Sequence, residues 1–340
     1  MTTKDVYEQL ADMFDQIPPG ISSTPSIMEV FRLQYTPEEA DLAVKVGLRG
    51  IKLDQVQERT GIEREKLRKM LDTMADKGTM WITPGGENPN YRAVGIGGPG
   101  LIETGAWGNV RFPYSVQLLK AMQKFQYEWA TNGLPALGFP TNRVWPDPAA
   151  LPHDAQPSEN VAEMMKQAGY WSVSTCSCRL PHWVADPGNH CHHLLETCLI
   201  LGKMGRWCVE HGMAREITYD QAVELLRKCN QDGLVHTYDP NWAICNCCAD
   251  CCVFFVGLRE TGANVLQRSD FVARVNEETC AACRTCADRC PVDAIQVDEW
   301  ATVDEGRCLG CGVCFPTCKT ESVSLVRRPK LAQAQATAPP

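Results

Sequence analysis

Residues 280–291 read CAACRTCADRCP, and the same cysteine spacing returns in residues 308–319, CLGCGVCFPTCK. Both runs have the form C-x-x-C-x-x-C-x-x-x-C. A cubane of four irons needs four thiolates that converge on its corners, and two residues between ligands allow one tight loop to wrap three of those corners. The repeated run therefore predicts two [4Fe-4S] clusters near the C-terminus.

Residues 271–328 resemble the bacterial-type two-cluster ferredoxin domain. Pro291 follows the first run as that pattern expects, whereas Lys319 follows the second. In such domains the fourth cysteine of each run serves the other cluster. The resemblance implies a (βαβ)2 fold and two ligand sets, which are Cys280, Cys283, Cys286 and Cys318 for cluster I, and Cys308, Cys311, Cys314 and Cys290 for cluster II.

Zinc binding and disulfide bonds are the two other possible uses of these eight cysteines. Zinc takes thiolates from two C-x-x-C pairs, and neither evenly spaced triplet has that form. Disulfides need an oxidising compartment, but residues 1–5 open into polar and helical sequence with no apolar secretory segment. We therefore expect a cytoplasmic protein whose cysteines bind iron.

The composition restricts the partners. The 340 residues are 44% hydrophobic and 22% charged, with a formal net charge of −8, which disfavours nonspecific attraction to nucleic acid or anionic lipid. The longest apolar candidate, residues 253–256, is broken at Gly257 and falls far short of the roughly 20 residues of a membrane span. We expect no direct membrane insertion.

Eleven of the nineteen cysteines lie outside the repeat. Cys208 and Cys229 stand alone in helical sequence and are predicted to pack rather than to bind metal. Because exposed thiolates oxidise and scavenge metal, the other nine predict more iron, with eight of them sufficient for two further [4Fe-4S] clusters. These nine are Cys176, Cys178, Cys191, Cys198, Cys245, Cys247, Cys248, Cys251 and Cys252.

Two other arrangements stay open for these nine. One has a single further cluster together with bystander or redox-active thiols. The other is a zinc site that borrows a histidine from His190, His192 or His193. Within the segment 190–193 only Cys191 is predicted to be a ligand.

A second resemblance covers residues from about 140 to 328. The segments FPTNRV at 139–144, CSCR at 176–179, GLVH at 233–236 and ICNCC at 244–248 are similar to large ferredoxin-domain proteins of anaerobic bacteria and archaea. Those proteins are described as 4Fe-4S-binding electron-transfer proteins. The resemblance implies a redox role and names no substrate.

The N-terminal region contains no cysteine before Cys176. Apolar residues recur at helical spacing over residues 53–60 and 63–77, with a turn at Gly61. Residues 79–83 and 91–94 then alternate as strands around a Pro- and Gly-rich turn. Helix, turn, helix and hairpin in this order predict a winged helix.

A winged helix suggests a redox-sensing transcription regulator as the alternative function. The second helix carries Arg64, Lys66, Arg68 and Lys69, which could meet phosphates. However, residues 1–92 hold twelve Lys and Arg against fifteen Asp and Glu, whereas a nucleic-acid module has a positive excess. We favour protein docking or structural packing for this region.

The segment between the two regions is predicted to connect them. The glycines at 95–100 follow a wing rather than a buried parallel strand, so they do not form a dinucleotide loop. A helix over Val116–Phe125 and a Pro-rich linker follow. The predicted class is α+β, divided into a winged-helix domain (1–95), connector and linker (96–157), irregular cysteine-rich domain (158–268), ferredoxin domain (269–328) and disordered tail (329–340).

Cubanes that are fully ligated by cysteine have no open iron for a substrate, so they transfer single electrons. The sequence therefore predicts an electron-transfer protein or a wiring subunit of a larger oxidoreductase, with redox proteins as partners. No catalytic residue is predicted. An enzyme would need a labile iron or a redox-active pair among Cys247, Cys248, Cys251 and Cys252.

Overall fold

The structure is a computed structural model that describes residues 4–18, 20–21, 24–96, 100–188, 191–263 and 265–329. It mixes helices and sheets, in agreement with the predicted α+β class. Within this described part, no helix combines the length and the apolar character that a bilayer crossing requires.

The N-terminal part contains five helices and a three-stranded antiparallel sheet. The helices are α1 Val6–Phe14, α2 Ile27–Gln34, α3 Pro37–Val46, α4 Leu53–Thr60 and α5 Arg64–Asp76. The strands are β1 Ile51–Lys52, β2 Met80–Thr83 and β3 Asn90–Ala93, in the order β1-β3-β2. Gly61, at φ 67°, ends α4, and the Glu63 carboxylate caps α5. The helices and the hairpin predicted here are confirmed.

A layer of helices follows. It contains α6 Leu101–Asn109, α7 Ser115–Glu128 and α8 Leu134–Ala136, with a π-helical turn, Trp129–Gly133, between α7 and α8. Helix α7 confirms the helix predicted from Val116 to Phe125. Of the glycine-rich connector at 95–100, residues 97–99 lie outside the described residues, as do residues 330–340 of the predicted tail.

A seven-stranded sheet forms the centre of the molecule, in the order β10-β4-β8-β9-β6-β5-β7. Only the pair β10–β4 is parallel. The strands are β4 Asn142–Trp145, β5 Trp171–Thr175, β6 Glu196–Leu201, β7 Arg215–Ile217, β8 Val235–Thr237, β9 Ala243–Cys247 and β10 Leu266–Gln267. The helices around it are α9 Val161–Lys166, α10 Arg179–Ala185, α11 Gly202–Glu210, α12 Tyr219–Gln231 and α13 Val253–Thr261.

This sheet corrects the prediction of an irregular cysteine-rich domain. Cysteine packs as a small apolar residue, so strands can carry it in their buried positions. Cys198 on β6 and Cys247 on β9 are both buried within the sheet. Strand β4 comes from the predicted Pro-rich linker, whose extended backbone pairs with β8 and β10.

The C-terminal part contains β11 Phe271–Val275, α14 Thr285–Asp288, β12 Ile295–Val297, β13 Ala301–Val303 and β14 Val323–Arg327. Strand β11 pairs with β14 and β12 pairs with β13, both antiparallel. The first half has the predicted β-α-β order. Between β13 and β14 the chain forms turns and no helix, so the predicted second helix is absent from residues 304–322.

The N-terminal helices share one hydrophobic core with the sheet. The Trp81 and Trp207 rings lie 4.2 Å apart, and Trp107 Nε1 donates to Thr175 O at 2.7 Å. A second core fills the C-terminal part and includes Ala150 from the segment before α9. The predicted regions therefore pack closely against one another.

Candidate metal centres

The two cysteine runs of the C-terminal part have the same backbone conformation. Left-handed residues occur at matching positions in each run, with φ of 49° at Ala282 and 69° at Gly310, and 66° at Arg284 and 76° at Gly312. Residues after the fourth cysteine match as well, because Asp293 and Glu321 are also left-handed. The repeat seen in the spacing is thus a repeat of loop geometry.

Main-chain N–H groups point at the cysteine sulfurs. Ala294 N donates to Cys290 Sγ at 3.2 Å, and Ser322 N donates to Cys318 Sγ at 3.2 Å in the matching place. Gly310 N also donates to Cys308 Sγ at 3.4 Å. Such bonds stabilise thiolate charge, as they do around iron–sulfur clusters.

The four cysteines predicted for cluster I line one cavity between the first run and the end of the second. Cys318 reaches this cavity although it is far along the chain from Cys280, Cys283 and Cys286. Cys283 is exposed, and hydrogen bonds from Thr285 lower the pKa of its thiol. The loop that carries Cys283 therefore lies at the surface.

The four cysteines predicted for cluster II also lie near one another. Cys290 interacts electrostatically with Cys308, and Cys311 and Cys314 interact with both. Burial raises the pKa of Cys311 to about 12 and also raises the pKa of Cys314 well above its ordinary value. Buried thiols of this kind ionise when a cation binds them.

The nine upstream cysteines divide into two groups that differ from their two clumps along the chain. The six-cysteine group consists of Cys176, Cys178, Cys198, Cys245, Cys247 and Cys252. Hydrogen-bonding contacts join its thiols in a closed ring, in the order 176, 178, 252, 247, 245, 198 and back to 176.

Neighbouring elements of the central sheet supply the six-cysteine group. Cys198 on β6 lies beside Cys245 and Cys247 on β9, and Cys176 follows the adjacent strand β5. Cys178 and Cys252 stand at the N-termini of α10 and α13. Hydrogen bonds from neighbouring thiols lower the pKa of Cys176 and of Cys247.

The three-cysteine group consists of Cys191, Cys248 and Cys251, whose Sγ atoms all lie within 4.8 Å of one another. Cys251 Sγ is 3.4 Å from Cys191 Sγ. A tetrahedral ion with metal–sulfur bonds near 2.3 Å holds its sulfurs about 3.8 Å apart. A cubane spreads its ligands further because each one binds a different iron. The spacing therefore suits a single tetrahedral ion.

Strand geometry explains why adjacent cysteines join different groups. Side chains alternate between the faces of a strand, so Cys245 and Cys247 of β9 point the same way. Cys248 follows the end of β9 and joins the opposite group. Sequence spacing could not reveal this division, because Cys191 comes from a distant loop.

Arg179 lies between the two groups and is fully buried. Its Nη1 donates to Asn246 O at 2.9 Å, and its Nη2 donates to Thr197 Oγ1. Burial lowers the pKa of this guanidinium, but the neighbouring thiols Cys176, Cys248 and Cys198 raise it more, so the pKa ends above its ordinary value. A buried guanidinium stays charged and needs anions nearby.

A polar network holds Arg179 in place. Asn246 Nδ2 donates to Thr197 O at 2.6 Å, and Asn246 Oδ1 lies 2.6 Å from His236 Nδ1. Burial lowers the pKa of His236 to about 4, so its ring is neutral near pH 7. Arg179, His236 and Asn246 belong to the segments CSCR, GLVH and ICNCC, but the sequence gives them no individual role. Only the fold brings the three side chains together.

Of the three histidines considered for a zinc site, the two described ones, His192 and His193, do not join the three-cysteine group. His193 Nδ1 lies 3.2 Å from Asp232 Oδ2, and His192 is exposed. His190 lies outside the described residues. Among the described residues, the three-cysteine group contains no histidine.

Cys208 and Cys229 lie on helices, as predicted. Cys208 on α11 is fully buried, and burial raises its pKa to about 12. Cys229 on α12 is also fully buried, but it packs in a cluster with Cys248, Cys251 and Leu234. Cys229 is therefore a neighbour of the three-cysteine group, although its sulfur is not one of the three within 4.8 Å.

The donor sets fit iron–sulfur clusters and thiolate-bound ions. All candidate ligands are thiols, N–H groups point at several sulfurs, and a buried cation stands where thiolate charge would collect. Arg179 Nε has no hydrogen-bond partner among the described residues, which leaves one donor for a sulfur-containing group. When bound, such clusters supply single-electron redox chemistry.

Comparison with known protein families supports iron–sulfur binding by one part of the chain. Residues 273–296 match the family described as 4Fe-4S binding domain. No curated protein and no solved structure matches the chain. The matched segment contains the first cysteine run and extends from within β11 to within β12. The chain therefore carries a 4Fe-4S binding domain at residues 273–296 and is an iron–sulfur protein with at least one [4Fe-4S] cluster.

Proposed function

We propose that this protein transfers electrons through two ferredoxin-type [4Fe-4S] clusters and a third cluster upstream, and that it binds one further metal ion beside them. The observation that carries the proposal is the repeated loop geometry, in which each run presents the same left-handed positions and the same N–H to sulfur bond. A loop that binds one cluster at residues 280–286 has a counterpart at residues 308–314. The ligand sets are those implied by the two-cluster ferredoxin domain.

The upstream centres occupy the two cysteine groups. The six-cysteine group has enough thiols for one [4Fe-4S] cluster, with four ligands and two neighbouring thiols. The three-cysteine group takes a single tetrahedral ion, zinc or iron. Arg179 offsets the negative charge of both centres, since two thiolate-rich sites would otherwise repel each other in a buried environment.

Contacts between the regions support a continuous path for electrons. Arg289, from the first ferredoxin loop, donates to Asn230 O at 2.6 Å and to Gln231 O at 2.9 Å at the end of α12. It also donates to Val313 O, between Cys311 and Cys314. Arg289 therefore fastens the ferredoxin part to the helix that carries Cys229 beside the three-cysteine group.

A redox partner protein docks at the cluster I loop. Cys283 is the exposed cysteine of the eight in the repeat, and the charge of Lys319 acts on it. Electron transfer falls off with distance, so the exposed cluster edge is the favourable entry point. Docking to other subunits of an oxidoreductase would use this face.

We propose that the winged helix predicted for residues 1–95 packs on the cysteine-rich region instead of binding DNA. Trp81 of β2 contacts Trp207 of α11, and Asp76 of α5 lies 2.7 Å from His211 Nδ1. Arg64 of α5 is engaged by Asp54 and by Glu87 O. These contacts support a structural role over the redox-sensing regulator.

Electron transfer is testable by stepwise reduction. The anaerobically purified chain is titrated with dithionite and then reoxidised with benzyl viologen, while absorbance near 400 nm is followed. We expect at least three one-electron steps, all reversible. Uptake of no electrons by a chain that contains its iron would contradict the proposal.

A further inference from the structure

A mostly apolar cavity of about 430 Å³, partly open to solvent, lies against the six-cysteine group. Cys198 of β6 and Cys245 of β9 form part of its wall. Its volume falls within the range of about 300 to 1,000 Å³ that is usual for small-molecule sites.

Aromatic and aliphatic side chains make up most of the rest of the wall. The aromatic ones include Trp107 of α6, Trp129 of the π-helical turn, Phe254 of α13, Phe14 and Phe139. Flat rings favour a flat ligand, because aromatic faces stack with one another. Trp129 begins the π-helical turn Trp129–Gly133, and such turns occur frequently at functional sites.

Three polar side chains, Glu103, Thr141 and Tyr238, lie in this mostly apolar wall. Among the described residues, no basic side chain forms an ion pair with Glu103, whose Oε2 accepts a hydrogen bond from Gly100 N at 2.8 Å. Burial raises the pKa of Glu103 to about 7, so a large share of this carboxyl is protonated near neutral pH and can donate a hydrogen bond.

Tyr238 adopts an unusual backbone conformation, with φ of 89°. A bulky residue at this φ is an outlier, and residues of this kind are concentrated at ligand sites. The strained backbone places the Tyr238 ring in the cavity wall together with Cys245. Its hydroxyl is a second polar group of the wall, close enough to Glu103 for the charge of that carboxyl to act on it.

We propose that this cavity binds a planar apolar carbonyl compound of the quinone type. Aromatic walls hold the ring, Tyr238 and Glu103 hydrogen-bond its carbonyl oxygens, and Cys198 and Cys245 place it beside a redox centre. The assignment of a redox-active ligand rests on the proposed function, whereas binding of the ring system does not.

The test is calorimetric titration of the oxidised, metal-loaded full chain without oxygen. The probe is 2,3-dimethyl-1,4-naphthoquinone, whose two methyl groups block addition of thiols to the ring. The matched compound is 2,3-dimethylnaphthalene, which has the same shape and no carbonyl. We expect saturable binding of one quinone per chain and weaker binding of the hydrocarbon.

Three variants locate the site. Leu137→Trp, at the half-buried rim, fills the cavity and weakens binding of both compounds at least tenfold. Tyr238→Phe weakens quinone binding roughly fivefold, the loss of one hydrogen bond, and leaves hydrocarbon binding unchanged. Tyr127→Phe, on the exposed face of α7, changes neither.

Iron is measured in each sample, so loss of binding is distinguished from loss of the metal centres. Absence of saturable binding to a chain with its full iron would overturn the inference and leave electron transfer untouched. Unchanged affinity in Leu137→Trp would overturn it as well. An equal effect of Tyr238→Phe on both compounds would refute the carbonyl contact.

Discussion

Arg179 Nη1 donates a hydrogen bond of 2.9 Å to the main-chain oxygen of Asn246, the residue between Cys245 and Cys247. This bond fixes a buried positive charge between the two upstream cysteine groups. The guanidinium has no carboxylate partner among the described ion pairs, so the thiols are its available anions. A cation in this position is costly unless the thiols carry negative charge, as they do when metal is bound.

Replacing Arg179 should therefore destabilise the upstream centres. Arg179→Met removes the charge and leaves Asn246 O and Thr197 Oγ1 without their donor, at a cost of roughly 3 to 5 kcal/mol. We expect upstream metal to be lost while the ferredoxin clusters remain, as measured by metal content and EPR. The control is Arg227→Gln, which removes an exposed ion pair with Glu224 and should change nothing measurable. Full metal in Arg179→Met would refute the role of the charge.

The repeat provides a matched pair of loop variants. A Cβ on Gly310 would lie 2.0 Å from Phe271 O and 2.3 Å from Ser269 Oγ, so Gly310→Ala should disrupt the second loop. The matching change in the first loop, Ala282→Gly, relieves a left-handed alanine and should keep both clusters. Iron analysis should show about four fewer irons in Gly310→Ala alone. Equal iron in the two variants would contradict the repeat.

Double variants test which cysteines share a cluster. If Cys318 serves the same cluster as Cys283, the variant Cys283→Ser/Cys318→Ser loses no more iron than either single change. In contrast, Cys283→Ser/Cys290→Ser should lose both clusters, about eight irons. The spin count of the reduced protein gives an independent value. The opposite pattern would mean that each run supplies all four ligands of its own cluster.

Variants of the adjacent residues Cys247 and Cys248 test whether the upstream thiols form two separate metal centres. Cys247 belongs to the six-cysteine group and Cys248 to the three-cysteine group. With Cys247 as one of the four cluster ligands of its group, we expect Cys247→Ser to lose about four irons and Cys248→Ser to lose one ion, with the other centre retained each time. Metal analysis by mass spectrometry distinguishes these results. Loss of the same metal in both variants would show a single shared centre.

The sequence predicts the first cysteine loop of the C-terminal part well because its information is local. The spacing from Cys280 to Cys290 is that of a [4Fe-4S] binding loop, in agreement with the family match, and its return at Cys308 predicts a second loop of the same geometry. The helices over 53–60 and 64–76 were likewise predictable, since their apolar periodicity and the turn at Gly61 lie within one short stretch. Such local signals do not depend on the rest of the fold.

The upstream site was not predictable in the same way. Cys191 meets Cys248 only because a distant loop reaches the end of β9, and Arg179 becomes buried only when the start of α10 meets β6 and β9. Cysteine-rich sequence also looked irregular, whereas its thiols occupy the buried positions of strands. The apolar cavity shows no local signal at all, since its wall comes from widely separated elements.

The metal content of the six-cysteine and three-cysteine groups tests most directly whether the upstream cysteines bind metal as the ferredoxin cysteines do. Iron, sulfide and zinc should be quantified together, per chain, in protein purified without oxygen. We predict about twelve irons and twelve sulfides, with one further zinc or iron ion in the three-cysteine group. About sixteen irons would place a cubane in that group instead. About eight irons with no other metal would leave the upstream thiols empty and contradict the claim.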